Sequence, residues 1–167
     1  MRILLLLLIL TSSSVFSQTE ESKIEYPKTV GNIEFDPKTD NKDFILCKEE
    51  FNYSFQYFDF DNFEYEGEKI AIENIFKKSY NTKKVKKESG LVRIRFIVNC
   101  QGKTDRFRVL SVDENYKTKK FDKNITEQLL QITKRLDGWK PKKYREKEVN
   151  YYQYLIFKIV KGQLTEI

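Results

Sequence analysis

Apolar and polar residues alternate from Val92 to Val98, with Val92, Ile94, Phe96 and Val98 on one side and Arg93, Arg95 and Ile97 on the other. Successive side chains on a strand point to opposite faces, so this spacing predicts a strand with one apolar face. Asn99-Cys100-Gln101-Gly102 reads as a turn, because asparagine tolerates turn backbone and glycine supplies a positive φ. Arg106 to Val112 reads as the returning strand, with Phe107 and Val109 on one face. The period then changes. Phe121, Ile125, Leu129, Ile132 and Leu136 recur every three or four positions, the mark of an amphipathic helix. Asp122 reads as its cap or a first-turn acid, and Gly138 as its end. An earlier helix is predicted over Glu68 to Tyr80, with Ile72, Ile75, Phe76 and Tyr80 on one face. Beyond Trp139-Lys140-Pro141, where proline forces an extended exit, Lys142 to Lys147 reads as a basic loop. Val149 to Ile159 then reads as a long strand, with Tyr151, Leu155, Phe157 and Ile159 sharing a face. Gly162 allows a last turn, and Leu164 and Ile167 a short closing strand. The order helix, strand, turn, strand, helix, strand predicts an α+β fold, a small antiparallel sheet with helices packed on one face.

Upstream the pattern is less regular. Residues 19 to 43 are polar and read as an extended arm, with a short strand expected at Ile33-Glu34-Phe35-Asp36. Phe51, Tyr53, Phe55 and Tyr57 alternate with Asn52, Ser54 and Gln56, which predicts an aromatic strand. Two readings stay open for it: a half-buried strand packed on the sheet, or an aromatic platform for sugars or bases. At the start, Arg2, the apolar run Ile3 to Leu10 and the site Val15-Phe16-Ser17 make residues 1–17 a cleavable export leader. Its apolar run is short for a membrane span. The division expected is 1–17 signal peptide, 18–66 N-terminal arm and aromatic strand segment, and 67–167 the folded domain.

Composition narrows the chemistry. The chain has no histidine, which removes the commonest base near neutral pH, the commonest metal ligand and any Ser-His-Asp arrangement. No spacing locates a carboxylate pair, a phosphate-cradling loop or a metal cluster. No catalytic, cofactor-binding or metal-binding residue is therefore assigned, and no cofactor is expected. The net charge is +6, with the charges well mixed. The run Lys77, Lys78, Lys83, Lys84, Lys86 and Lys87 reads as a solvated helix end, and no nucleic-acid partner is expected. In an exported chain the two cysteines, Cys47 and Cys100, favour a disulfide, with a reactive thiol as the alternative.

The stretch from Gly90 to Ile159 resembles the C-terminal domain of TonB-like proteins. The residues that carry the likeness are Gly90 before an apolar strand, the turn Val98-Asn99-Cys100-Gln101-Gly102, the motif Trp139-Lys140-Pro141, and the strand end Ile156-Phe157-Lys158-Ile159. In that family the sheet offers an edge to an extended peptide of an outer-membrane receptor. The resemblance therefore implies a non-enzymatic module, in the periplasm or secreted, that binds an envelope or outer-membrane protein by edge-strand pairing. Tyr151, Tyr152 and Tyr154 on the last long strand are its expected partner-binding residues; the other reading is that they pack on the N-terminal aromatic segment. The alternative is a structural or self-associating protein whose edge is filled by its own N-terminal segment or by a second copy in a homodimer. With the leader cleaved and only three prolines, no transmembrane anchor or long spacer remains, so a stand-alone module is expected.

Overall fold

The computed structural model describes residues 32–47, 55–56 and 64–167. The leader, the first part of the arm and most of the aromatic stretch, including Phe51, Tyr53 and Tyr57, lie outside the described residues. The fold is α+β. In chain order it comprises β1 (Phe55–Gln56), α1 (Glu68–Ser79), β2 (Gly90–Val98), β3 (Thr104–Val112), α2 (Lys123–Lys134), β4 (Lys142–Tyr144), β5 (Lys147–Val149), β6 (Tyr151–Val160) and β7 (Gln163–Glu166).

The main sheet runs β1-β6-β2-β3, with β7 also on β6. The pairs β2–β3, β2–β6 and β6–β7 are antiparallel, and β1 joins β6 in parallel at Tyr151 and Tyr152. The register sets Val92 opposite Phe157, Ile94 opposite Leu155 and Val98 opposite Tyr151. The apolar sides read from the two strands thus lie on one face. Against that face pack Ile72 and Phe76 of α1 and Ile125, Leu129 and Ile132 of α2, all buried. Burying such side chains contributes about 1.5–3 kcal/mol each. Aromatic rings close the two ends of this layer. Phe76 meets Phe157 at 4.7 Å, and Trp139 sits edge-on to both Phe96 and Tyr65 at 5.1 and 5.0 Å. Asp122 caps α2 as expected, accepting the Asn124 N–H at 2.9 Å.

Several expectations change. α2 ends at Lys134 with Arg135 as its C-cap, short of Leu136 and Gly138. Lys142 to Lys147 is not an open loop: β4 and β5 form a hairpin whose turn residues, Arg145 and Glu146, both have positive φ. That pair of left-handed residues matches the twist of a two-residue hairpin. The long strand starts at Tyr151, because Val149 belongs to β5 and the Asn150 side chain is engaged elsewhere. The closing strand ends at Glu166, before Ile167. Ile33 to Asp36 is no strand: its backbone is held by side chains, not by a ladder. Within β3, Arg106 adopts φ 57° at an irregularity opposite Arg95–Ile97. An extra residue at such a bulge sharpens the local twist.

Candidate functional site

Among the described residues, the face of the sheet turned away from α1 and α2 carries paired arginines and tyrosines. Its positions are Arg93, Arg95 and Ile97 on β2 and Tyr152, Tyr154 and Ile156 on β6. Each arginine lies over the tyrosine diagonal to it. Arg93 is 4.5 Å from the Tyr154 ring centre and Arg95 is 4.3 Å from that of Tyr152. A guanidinium over an aromatic face is attracted by the ring quadrupole, more strongly where water is excluded. Arg95 is only 3% exposed, and burial lowers its pKa.

Residues 32–47 fold over one end of this face. Ile33, Phe44 and Leu46 pack on Ile97 and Tyr152. Polar side chains from the sheet and its turns grip the arm's backbone. Asn150 accepts the Cys47 N–H and donates to the Cys47 carbonyl, both at 3.0 Å. Asn99 donates to the Ile45 carbonyl at 2.8 Å, and its side-chain oxygen accepts the N–H groups of Gln101 and Lys103 in its own turn. Arg106 donates to the Ile33 carbonyl and Arg108 to that of Glu34. The Cys47–Cys100 disulfide expected from the sequence is formed, with Cα atoms 6.0 Å apart, and fastens the arm to the β2–β3 turn.

Arg108 also holds Asp40 through two parallel hydrogen bonds of 2.7 Å. These bonds, aided by the Asp36 N–H, hold the Asp40 carboxyl at about 2, against the opposing effect of burial. A carboxylate with a depressed folded-state pKa stabilises the fold fully above the ordinary value near 4 and loses that effect as pH falls towards 2. Urea unfolding between pH 5 and about 2 should therefore show Asp40→Asn less stable than the parent at pH 5 and converging on it by about pH 2. Parallel curves would show that the pair does not anchor the arm.

The expected partner-binding tyrosines part company. Tyr151 faces the helices, fully buried, and donates to the Lys140 carbonyl at 3.0 Å; burial raises its pKa. Tyr152 is on the outer face, 4% exposed beneath the arm, where its hydroxyl accepts the Ile33 N–H. Tyr154 lies beside it, half-buried under Arg93. The arm-gripping residues Asn99, Asn150, Arg106 and Arg108 were not singled out from the sequence. The one available signal was Arg106 and Arg108 alternating with Phe107 and Val109, which sets the two groups on different faces.

The sheet has two edges. On β6 the outer side is taken at one end by β1 and at the other by β7, with Gln153 to Phe157 lying between them. On the opposite side β3 is terminal. Among the described residues its last part meets the following loop, where Lys119 N–H donates to the Ser111 carbonyl and Val112 bridges Thr118, and side chains of Asp105, Arg106 and Arg108 hold the arm. Among the described residues no helix is long and apolar enough to cross a membrane, and no acidic and thiol groups cluster as a metal site.

No family model matches the chain, and neither a curated protein nor a solved structure does.

Proposed function

We propose that this chain is a non-enzymatic, exported binding module, periplasmic or secreted, that takes up an extended segment of an envelope protein by adding it to its sheet. The observation that carries this reading is the terminal position of β3. From Thr104 to Leu110 its outer backbone groups have no strand partner among the described residues. Such a row of N–H and C=O groups is a template for a further strand. The disulfide agrees with an oxidising compartment outside the cytoplasm.

A second reading, a scaffold that fills its own edge, is favoured by β1, which lays part of the N-terminal segment along β6 at Tyr151 and Tyr152. The two readings differ in an observable. Bound envelope protein should protect edge amides from hydrogen exchange, at Thr104–Leu110 or at Gln153–Phe157, relative to the free chain. Capture without protection at either edge, or no capture from an envelope fraction, would leave the self-filled scaffold.

A further inference from the structure

Between β3 and α2 runs a groove of about 390 Å³. Its floor is apolar. Val109 is 39% exposed there, beside Leu130 and Phe121. Its rim is basic where α2 starts, and one lysine outside the lining stands beyond the other end. Lys120 and Lys123 flank the end at the start of α2. Lys134, near the other end of the helix, lies 5.5 Å from the ring centre of Phe107, the next helix-facing residue of β3. Glu127 is the acidic lining residue between them.

We infer that this groove is the docking site for the partner's segment: an extended peptide with apolar side chains at alternate positions and carboxylates towards both ends. This rests on the strand-addition reading and deepens it by naming the edge and the partner's chemistry. A strand added to β3 would turn every second side chain to the helix side, over Val109 and Leu130, and the other half to the face of Arg106 and Arg108. Backbone pairing would supply affinity, and the groove and its lysines would supply choice.

Charge also disfavours another natural occupant, a second copy of this chain, in the central registers. Consider two β3 edges paired antiparallel with their helices on the same side. Registers centred on Arg106, Phe107 or Arg108 set Arg106 against Arg106, Arg106 against Arg108, or Arg108 against Arg108. Like charges directly opposite each other disfavour strand pairing. An acidic segment meets no such penalty.

The test uses the exported, oxidised chain, isotopically labelled, titrated with two synthetic peptides of about ten residues, the length of an ordinary strand. One alternates valine and threonine and carries glutamates at both ends. The other carries lysines in their place. The glutamate peptide should bind saturably, shift the amides of Thr104–Leu110 and the groove side of α2, and bind at least about tenfold more tightly than the lysine peptide. The double variant Lys120→Glu, Lys123→Glu changes two exposed residues and should reverse that preference. Val109→Lys should weaken both peptides. Equal affinity for both peptides, an unreversed preference, or no saturable binding would overturn the inference. Shifts confined to Gln153–Phe157 would overturn it too, while leaving strand addition itself standing. Loss of both, with no edge protected by envelope protein, would remove the wider reading.

Discussion

Replacing Gly102 with alanine is expected to lower the stability of the fold by roughly 2–5 kcal/mol, a large part of what a domain of this size has to lose. Gly102 sits in the β2–β3 turn with φ 72°, where a residue with a Cβ is strained by about 1–2 kcal/mol. The added carbon would also stand 2.3 Å from the Trp139 carbonyl oxygen. Relief by movement is blocked on both sides. Trp139 is wedged between Tyr65 and Phe96, and its neighbour Gly138 accepts the Glu66 N–H at 2.7 Å. The turn is tied by the Asn99 side chain to its own N–H groups and to the arm. Overpacking against parts that cannot yield costs a further 1–3 kcal/mol or so. In reversible thermal unfolding the midpoint should fall on the order of 10–20 °C, while Gln101→Ala, one exposed residue earlier, should change it little. A Gly102→Ala loss below about 1 kcal/mol would mean that the turn and Trp139 can separate cheaply.

That contact also shows how much of the fold the sequence makes legible. Asn-x-x-Gly and Trp-x-Pro are each common and weak as motifs. They are far apart in the chain, and the structure presses one glycine onto the other motif's carbonyl. The strands and α2 were readable because each buries one regular side, and burial leaves a period in the residues. The β4–β5 hairpin escaped because its eight residues, Lys142 to Val149, are nearly all charged, and its left-handed turn uses Arg145 and Glu146 where glycine or asparagine would have signalled it. The arm escaped for a different reason. Ile33 and Phe35 alternate as in a strand, but only Ile33 is buried, and Phe35 remains 47% exposed beside Arg106. What fixes the arm is a set of single side chains, Asn99, Asn150, Arg106 and Arg108, each reaching a backbone group or a carboxylate far away in the chain. Such bonds have no period, so no pattern announces them. The tyrosines teach the same point about the site. Tyr151, Tyr152 and Tyr154 look like one cluster when written in a row, yet period two sends Tyr151 to the helices and the other two to the arm side. The terminal position of β3 depends on which strand β2 meets on each side, and that is a property of topology rather than of any residue.

Removing the disulfide, by Cys47→Ala with Cys100→Ala, should cost about 4 kcal/mol if its effect is to restrain the unfolded chain. The two cysteines are 53 residues apart, and the loop they close holds β1, α1 and β2 up to its turn. Opening the bridge therefore frees much of the domain in the unfolded state, not just the arm. The arm itself stays gripped by Asn150, Asn99 and the Asp40–Arg108 pair, so the oxidised and cysteine-free proteins should share the same folded structure. Two measurements separate the contributions. In urea, the cysteine-free protein should show a lower midpoint and a steeper dependence on denaturant, because its unfolded chain exposes more surface. Under native conditions, the arm should be cut faster by protease in the cysteine-free protein, as local detachment no longer has a covalent stop. A large loss with an unchanged slope would place the effect in the folded state, in the fit of the arm on Ile97 and Tyr152. A loss under about 1 kcal/mol would mean that the asparagine and arginine grips alone hold the arm, and that the bond only records an oxidising compartment.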